Sequence, residues 1–410
     1  MPEFLNLKPP QEALETLFTH LSVSERGEAI LVEDALGRVV FEPVKAGHPL
    51  PSFRRSTVDG FAVLAEDTYG ASESLPAYMP LAGEVPMGAA PDFPLEKGTC
   101  AVIHTGGMLP EGANAVVMIE YTQQARENEV EILRTVAVGE NVLQVGEDVQ
   151  TGALVIPAGT RIRPAEIGGM MALGVTEVSV AARPRVGIIS SGDEVVHPSE
   201  EIGPGRVRDV NSYTLQALVR QAGGEPVLYG IAPDQREAMA EIVGKAHRET
   251  DLVVVTAGSS ASARDLTSMV IDSLGEPGVL VHGVNVRPGK PTILGVCNGK
   301  PVIGLPGNPV SALVIAGLFV VPLIERMLGL DSAGFRPVVQ ASLKVNLASQ
   351  AGREDWVAVR LEETEKGLAA DPIFGKSNLI FTLARADGLV KIPADANGIA
   401  AGSPVQVWMM

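Results

Sequence analysis

Three short polar segments of this chain combine residue types that bind phosphate-like anions, and each follows an apolar run. They read SSGDEVV (190–196), TAGSSASARDL (256–266) and GLPGNPVS (304–311). If the apolar runs are parallel strands, the segments meet at the carboxyl edge of a sheet, where such sheets bind ligands. Amides at helix N-termini point at an anion there, and the helix dipole favours it. Turn chemistry alone explains any one segment better, but three together favour a binding edge.

Carboxylates stand in two of these segments. Asp193 and Glu194 follow the first apolar run, and Asp265 stands where the second segment becomes helical. An N-cap role explains Asp265, whereas Mg²⁺ coordination or charge matching to a bound substrate explains all three. Both interpretations of Asp265 stay open, because one carboxylate can serve both.

Cations follow in the segment NVRPGKP. Arg287 and Lys290 lie there between prolines and a glycine that restrict the backbone, and could neutralise phosphate or another oxyanion. Nucleophilic catalysis has no comparable support. His104 and His282 are better explained as packed or surface side chains, and neither the Walker pattern nor GxGxxG after the first strand is present.

Alternating strand and helix patterns between residues 185 and 328 must position these loops. RVGIIS, EPVLYGI and DLVVVTAG are apolar runs of strand length, and amphipathic helical patterns separate them. SYTLQALVRQAGG (212–224) is one such helix, with Ser212 as its predicted N-cap and glycine at its end. This alternation predicts a doubly wound, mostly parallel sheet wrapped by helices.

β patterns dominate much of the remaining chain. Residues 65–140 consist of short extended segments broken by Gly and Pro, which predicts a small all-β unit. From residue 336 onward, period-two alternation with short turns predicts a β-barrel or sandwich. The fold class that follows is multidomain α/β and β, with a central α/β domain, a mixed N-terminal region and a C-terminal β domain.

Composition limits the function classes. At 410 residues the chain exceeds what one core supports, so three or four folding units are expected. The net charge of −17 argues against a nucleic-acid surface, and MPEFLNLKPPQEAL lacks the features of a signal peptide. Prolines and a glycine split the uncharged run from Pro301 to Ile324, so a buried helix is expected rather than a membrane span. We expect a soluble, cytoplasmic protein without nucleic-acid or membrane partners.

Six ordered motifs resemble those of one family. PSFRRSTVDGFAV, HTGGMLPEGANAVVMIE, VGEDVQTGALVIPAGTRI, SSGDEVV, RPGKP and GLPGNPVSAL are similar to motifs of the molybdopterin molybdenumtransferases, the MoeA family, which includes the E domain of gephyrin. The resemblance covers roughly residues 8–405. It implies an N-terminal α+β domain (1–48 and 141–182), an inserted mainly-β domain (49–140), a molybdopterin-binding α/β domain (183–330) and a C-terminal β-barrel (335–410).

The activity that the resemblance implies belongs to molybdenum cofactor biosynthesis. Such an enzyme inserts molybdate into adenylylated molybdopterin and releases AMP, with Mg²⁺ as the divalent cation. The family forms homodimers whose active site is shared between the α/β domain of one subunit and N-terminal segments of the other. A transient contact with the molybdopterin adenylyltransferase is also implied.

Site residues follow from the motifs that match the family. The implied catalytic positions are Asp59, Thr105, Asp148, Glu194 and Asp265, of which Glu194 and Asp265 are also the implied metal ligands. The implied positions for binding the molybdopterin substrate and molybdate are Gly258, Ser259, Ser260, Arg287, Lys290, Pro306, Gly307, Asn308, Ser311 and Ser377.

Three departures from the family pattern bear on binding rather than on fold. Ala257 and Ser262 replace glycines of the family's SGGVSVG segment, and either replacement would strain the loop if its position required a positive φ. His282 stands where many members have a lysine. Arg287 replaces a second lysine, which keeps the charge but changes its geometry.

Two alternative functions remain open. Molybdopterin adenylylation is performed by small proteins that resemble only the α/β domain, so the long N-terminal portion and the C-terminal domain speak against it. A non-catalytic scaffold would keep the fold after losing activity, and its support is the altered segment 256–262.

Overall fold

A computed structural model of the chain describes residues 7–23, 26–257, 261–330 and 337–410. Early and late strands of the N-terminal part pair with each other, and a six-stranded β-sheet lies between them in the sequence. A six-stranded α/β sheet and a closed C-terminal barrel follow. This is the multidomain α/β and β fold class that the sequence predicts.

The described residues of the N-terminal part form two α-helices and twelve short strands. Its helices are α1 Pro10–His20 and α2 Pro164–Ala172, and 3-10 helices cover Val32–Asp34, Ala65–Thr68 and Ile119–Tyr121. Its strands are β1 Gly27–Leu31, β2 Val44–Lys45, β3 Arg55–Ser56, β4 Gly60–Val63, β5 Ala77–Glu84, β6 Cys100–Ile103, β7 Ala115–Met118, β8 Thr122–Arg126, β9 Glu129–Ile132, β10 Val142–Leu143, β11 Leu154–Ile156 and β12 Glu177–Ala181.

Strands from the two ends of this part pair across the insertion. β1 pairs with β12, and β2 with β11, both antiparallel. Ile162, Met170 and Val178 from the second half pack with Val32 and Val40 from the first half in one buried cluster. Apolar burial is the dominant stabilising force in folding, so the chain has to return after the insertion to complete this core.

The inserted sheet has the strand order β7-β4-β6-β5-β9-β8. Successive side chains of a strand point to opposite faces, and both faces of this sheet are apolar. Ala62 of β4 packs with Ile103 and Val116 in one buried cluster, whereas its neighbour Val63 packs with Val117 in another. Burial on both faces explains why the central strands are continuous apolar runs rather than alternating patterns.

Within residues 185–257 and 261–330, the α/β unit forms nine strands and four helices. Its strands are β13 Arg185–Ser191, β14 Val195–Val196, β15 Val207–Arg208, β16 Glu225–Ala232, β17 Leu252–Ala257, β18 Pro277–His282, β19 Val286–Arg287, β20 Ile293–Cys297 and β21 Lys300–Pro306. Its helices are α3 Asn211–Ala222, α4 Arg236–Glu249, α5 Ala261–Asp272 and α6 Pro309–Met327.

The main sheet of this unit has the order β16-β13-β17-β21-β20-β18. The first four strands are parallel, and β20 runs antiparallel to both of its neighbours. Helices α3 and α6 pack on one face together with α1 from the N-terminal part, and α4 and α5 pack on the other. The doubly wound, mostly parallel sheet predicted from the sequence is therefore present, with α1 as an additional cover.

The carboxyl ends of β13, β17 and β21 lie side by side. Ser190 is in register with Thr256, and Ala257 is in register with Pro306. The three polar segments that follow these strands therefore start from one edge of the sheet, as the sequence predicts.

The start of α3 differs from the prediction. The helix begins at Asn211, and the backbone N–H of Ser212 donates to Asp209 Oδ1 at 3.0 Å. Ser212 as the N-cap is therefore wrong, because a carboxylate three residues earlier is the stronger acceptor. The Ser212 hydroxyl instead lies 3.0 Å from the Ser190 hydroxyl.

Helix α6 is long and apolar enough to cross a membrane by length and composition alone. It is mostly enclosed by protein, because 61% of its most apolar 18-residue window is buried. Phe319, Leu323 and Ile324 pack into the core of the α/β sheet. The expectation of a buried helix in this apolar run is confirmed.

The C-terminal unit consists of β22 Val338–Leu343, β23 Leu347–Ala348, β24 Glu354–Thr364, β25 Gly367–Pro372, α7 Phe381–Ala384, β26 Gly388–Ile392, β27 Gly398–Ile399 and β28 Pro404–Met409. Its sheet has the order β24-β25-β22-β28-β26, and β26 pairs back with β24 to close a five-stranded barrel. Of the two predicted alternatives, barrel and sandwich, the barrel is correct. Strand β19 of the α/β unit pairs with β24 in parallel, with Arg287 opposite Asp355, and so joins the two units.

Candidate functional site

A cleft of about 910 Å³ lies between the α/β unit and the barrel. Residues 285–291 and the start of α6 form one wall, and β24 and residues 373–378 form the other. Ligand pockets typically have volumes of roughly 300–1,000 Å³. The cleft therefore has room for an organic substrate as well as a small anion.

Cationic side chains line this cleft. They are Arg287, Lys290, Arg353 and Lys376. Asp355 is the only carboxylate among the lining residues that the structure describes. A chain with a net charge of −17 thus concentrates positive charge here, and such a cleft attracts anionic ligands.

Asp355 holds two of these arginines. Its carboxylate accepts a hydrogen bond from Arg353 Nε at 2.9 Å and lies 3.6 Å from Arg287 Nη1. The side chain of Asp355 is only 5% exposed, and a buried carboxylate has to be paired and hydrogen-bonded to be stable. Because a guanidinium group has five N–H donors, both arginines keep donors that can face a ligand.

The backbone that carries Arg287 and Lys290 is packed tightly against α6. Gly289 has a φ of 113°, and a Cβ atom at this position would lie 2.2 Å from Ile315 Cγ1. Only glycine tolerates both the φ angle and the approach. The hydroxyl of Thr292 also donates to Gly289 O at 2.6 Å. The proline–glycine segment is therefore a shaped support for two cations.

The GLPGNPVS segment forms the turn from β21 into α6. Pro309 occupies the first helical position, where its missing N–H costs nothing. Asn308 Nδ2 donates to Ser377 Oγ at 3.1 Å, and Val310 N donates to Ser377 O at 3.0 Å, so the turn contacts the barrel directly. Asn308, Ser311 and Ser377 all line the cleft.

Buried polar groups lie at the carboxyl edge beside this turn. Ser190 Oγ donates to Asp209 Oδ1 at 2.8 Å, and Asn211 Nδ2 donates to Gly307 O at 2.8 Å. In the part of the chain that the structure describes, Asn211 Oδ1 and Ser191 Oγ are buried without a hydrogen-bond partner. An unsatisfied buried polar group costs about 1–3 kcal/mol, and both atoms are suited to contact a bound ligand or water.

Glu194 follows strand β13, and Asp265 lies within helix α5, which follows the adjacent strand β17; both side chains are exposed. Because α5 begins at Ala261, an N-cap role for Asp265 is wrong. Burial, followed by the charges of Asp193 and Glu194, raises the pKa of Asp234 above its ordinary value. Among the described residues, no group of three or more His, Cys, Asp or Glu side chains is placed to hold a metal ion. A cation held by one or two carboxylates at this edge would have to take its further ligands from a substrate, as Mg²⁺ does from phosphate oxygens.

The segment between β17 and α5 contains three predicted binding residues, Gly258, Ser259 and Ser260, which lie outside the described residues. On its flanks, Ala257 ends strand β17 and Ser262 falls within helix α5. Extended and helical backbone are open to any L-residue. The strain expected if these positions required glycine therefore does not arise.

Asp59, Thr105 and Asp148 lie in the N-terminal part and do not line the cleft. Asp59 accepts hydrogen bonds from the backbone N of Thr105 at 2.7 Å and from its hydroxyl at 3.0 Å. The first of these bonds, followed by the second, lowers the pKa of Asp59 below its ordinary value of 3.8. Asp148 is exposed. The structure therefore pairs Asp59 with Thr105 but places both outside the cationic cleft of their own chain.

The cleft gathers six of the residues predicted from the sequence: Arg287, Lys290, Pro306, Asn308, Ser311 and Ser377. The sequence prediction missed Arg353, Asp355 and Lys376. A weak signal exists for Arg353, because AGRED places a cation directly after a glycine at the start of a strand. Its pairing with Asp355 and the approach of Arg287 depend on the contact between β19 and β24, which local patterns do not indicate.

Three sequence-family profiles match the chain. They are the MoeA N-terminal region (domain I and II) over residues 8–174, the "Probable molybdopterin binding domain" over residues 187–326, and the MoeA C-terminal region (domain IV) over residues 340–410. Their order follows the three parts of the fold described above.

Whole-length similarity to known proteins supports these matches. A molybdopterin molybdenumtransferase of Nostoc sp. is 35% identical, with 92% of this chain and 87% of the relative aligned. A molybdopterin molybdenumtransferase of Bacillus subtilis is 32% identical, with 98% of this chain and 94% of the relative aligned. The crystal structure of a molybdopterin biosynthesis MoeA protein from Pyrococcus horikoshii is similar at a TM-score of 0.87 and 33% identity, over 99% of this chain and 100% of that chain.

Proposed function

Because this chain belongs to the MoeA family of molybdopterin molybdenumtransferases, we propose that it uses the cleft between the α/β unit and the barrel to insert molybdate into adenylylated molybdopterin with release of AMP. The reaction is a step of molybdenum cofactor biosynthesis. The observation that carries the assignment of the cleft is the convergence of Arg287, Lys290 and Arg353 on it.

Molybdate is a tetrahedral dianion, so its site needs cations and hydrogen-bond donors. Arg287 and Arg353 offer planar guanidinium groups that can bind two oxygens at once. Lys290 adds a positive charge, and the Ser377 hydroxyl adds a hydrogen-bond donor in the same cleft. The one lining carboxylate, Asp355, is already paired with both arginines, which limits its repulsion of the dianion.

Two bond changes complete the reaction. The two dithiolene sulfurs of molybdopterin bind the molybdenum, one molybdate oxygen leaves as water with the two thiol protons, and the phosphoanhydride bond to AMP is cleaved. In the cleavage, an oxygen of water or molybdate attacks the adenylate phosphorus, and the electron pair of the broken P–O bond goes to the molybdopterin phosphate. A nucleophilic protein side chain is not required, and the chain contributes binding, orientation and charge stabilisation.

We assign Mg²⁺ to Glu194 and Asp265. These exposed carboxylates lie after β13 and in α5, the helix that follows the adjacent strand β17, and they would hold the ion together with phosphate oxygens of the substrate. A bound Mg²⁺ supplies positive charge to the phosphate oxygen that leaves.

The complete site is proposed to need two subunits. The proposed compartment of the protein is the cytoplasm. Asp59, Thr105 and Asp148 lie outside the cleft of their own chain, and a homodimer would bring them to the cleft of the partner. In this arrangement Asp59, held by Thr105, acts on substrate bound mainly by the other subunit. A transient contact with the molybdopterin adenylyltransferase would deliver the substrate, since that enzyme makes it.

An assay of AMP release tests the proposal. The purified protein is mixed with adenylylated molybdopterin, molybdate and Mg²⁺, and AMP is measured over time. AMP release that requires molybdate supports the proposed reaction. Substrate binding without AMP release would indicate a scaffold, and ATP-dependent adenylylation of metal-free molybdopterin would indicate an adenylyltransferase. Either of the last two results would overturn the proposal.

A further inference from the structure

Four arginines converge on a second cavity, where the N-terminal part meets the α/β unit. The cavity has a volume of about 160 Å³, and it is lined by Arg38, Arg161, Arg183 and Arg220. No carboxylate is among its lining residues in the described ranges. The four side chains come from four separate stretches of a chain whose net charge is −17. Such a concentration of like charge is unfavourable unless an anion compensates it.

Two of the four arginines are held by the fold. Arg38 forms an ion pair with Glu28 and donates to Ala181 O at 2.8 Å. Arg161 donates to Ala222 O, at the end of α3, at 3.4 Å. These contacts fix the positions of the guanidinium groups and leave several N–H donors unused.

The other two arginines have no such contacts. Within the described ranges, Arg183 and Arg220 form no hydrogen bond or ion pair through their side chains, and both are exposed. Arg220 lies in the last turn of α3, where a cation suits the helix dipole. The dipole does not explain Arg183, which lies in the link between β12 and β13. Two held and two unpaired cations therefore line one cavity.

We propose that this cavity, the arginine pocket (Arg38, Arg161, Arg183 and Arg220), binds a phosphate-class oxyanion. Guanidinium groups match pairs of phosphate oxygens. Pockets for larger ligands measure roughly 300–1,000 Å³, so 160 Å³ takes a phosphate group with bridging water rather than a nucleotide or a pterin. Because the pocket is lined from both the N-terminal part and the α/β unit, the bound anion joins the two.

The arginine pocket is separate from the cleft described above, since the two cavities share no lining residue in the part of the chain that the structure describes. Its proposed ligand does not depend on the proposed reaction. The cleft also attracts oxyanions, however, so a binding experiment has to weaken anion binding in the cleft. The variant Arg353→Gln serves as that background, because Arg353 lines only the cleft.

Thermal unfolding with inorganic phosphate tests the pocket. In the Arg353→Gln protein, phosphate is expected to raise Tm in a saturable way, because a ligand that binds only the folded state shifts the folding equilibrium about 100-fold at 100 times its Kd. Adding Arg183→Gln and Arg220→Gln is expected to abolish the shift. Both side chains are exposed, so the triple variant should fold, and its Tm without phosphate checks this.

Two results would overturn the proposal. One is an equal phosphate-dependent shift in the triple variant, and the other is the same shift produced by chloride at matched ionic strength. Glycerol phosphate in place of inorganic phosphate identifies the source of the ligand. A larger shift with glycerol phosphate assigns the pocket to a phosphomonoester, and a smaller one assigns it to free phosphate.

Discussion

Asp355 lies between two guanidinium groups that come from opposite walls of the cleft. A lone carboxylate at this place would repel molybdate. Paired as it is, it leaves Arg287, Lys290 and Arg353 with a net positive charge and fixes two of them before a ligand arrives. Side chains fixed in advance lose less entropy on binding, so the carboxylate supports the anion site through geometry.

Arg353→Ala is the residue-scale prediction for this cleft. We expect KM for molybdate to rise about 10- to 100-fold, because hydrogen bonds to charged groups contribute roughly 1.5–3 kcal/mol. Steady-state AMP release at varied molybdate concentration measures the effect. Arg360→Ala, at an exposed arginine of β24, the strand that directly follows Arg353, is the matched control and should leave KM unchanged. Equal KM values for the two variants would remove Arg353 from the site.

Asp59→Asn tests the N-terminal residues. We expect AMP release to slow by about tenfold or more, since small changes in positioning have effects of this size. The lowered pKa of Asp59 keeps its carboxylate ionised above its ordinary value of 3.8. The ratio of wild-type to variant rates should therefore stay constant from about pH 5 to pH 8.

The control for this variant is Asp92→Asn, an exposed aspartate of the same sheet unit. Its rate should equal that of the wild type. A ratio for Asp59→Asn that grows steeply between about pH 5 and pH 8 would contradict the assignment, because it would mean that this carboxylate titrates there.

At this scale the sequence predicted residue types better than residue partners. Arg287, Lys290 and Ser377 stand in motifs that mark cations and a hydroxyl for an anion, and all three line the cleft. Arg353 carried only a weak local signal. Its importance depends on Asp355 and on strand β19, which is distant in sequence, and pairing between distant strands has no local pattern.

Gly289 shows how an element shapes the site, because the RPGKP segment fits against α6 only without a Cβ atom. We predict that Gly289→Ala lowers the free energy of unfolding by more than the roughly 1–2 kcal/mol of a left-handed backbone alone. It should also raise KM for molybdate, since the segment carries Arg287 and Lys290.

Gly402→Ala is the control that measures the destabilisation caused by the left-handed backbone alone. Gly402 has a φ of 81°, and no heavy atom lies within 4 Å of an added Cβ. Urea unfolding and AMP-release kinetics of both variants separate the effect of backbone strain from the effect of overlap between the added Cβ atom and Ile315. If Gly289→Ala were no more harmful than Gly402→Ala, the packing of the segment against α6 would not be what positions its cations.

Elements were predictable where their signals are local. The strands of the α/β unit are apolar runs, and its helices are amphipathic, so both follow from periodicity. The start of α3 was not predictable in this way, because Asp209 competes with Ser212 for the role of the capping residue. The two-residue strand β19 was also missed as a link to the barrel, because its partner β24 comes about seventy residues later.

A mixing experiment tests the proposed dimer at the scale of the whole molecule. At a molybdate concentration well below the KM of the wild type, subunits with Asp59→Asn and subunits with Arg353→Ala are each expected to keep about a tenth or less of the wild-type activity as homodimers. In a mixed dimer, one of the two sites combines an intact cleft with an intact Asp59 from the other subunit. Random mixing in equal amounts makes half of the dimers mixed, so about a quarter of the wild-type activity should return.

The matched control is a mixture of Asp59→Asn with Thr105→Ala subunits. Both lesions lie in the same N-terminal contribution, so this mixture should stay inactive. Activity that failed to return in the first mixture would mean that each site is built from one chain.

Whole-molecule organisation was partly predictable. The order of the α/β and β regions follows from the sequence patterns, and the family resemblance implied the division into domains. The strand pattern alone left the closure of the barrel by β26 and β24 open, because it does not tell which edges meet, and the family resemblance supplied the barrel. The packing of α1 on the α/β sheet was not predicted, because the apolar stripe of a helix does not indicate which surface the helix packs against.

The most direct test of the central claim is a crystal structure of the protein with molybdate, in which the anomalous scattering of molybdenum locates the anion. The account predicts a single strong molybdenum position in the cleft, within hydrogen-bond distance of Arg353, Lys290 and Ser377, and its loss in Arg353→Ala crystals. A molybdenum position outside the cleft, or one that persists unchanged in the Arg353→Ala protein, would contradict it.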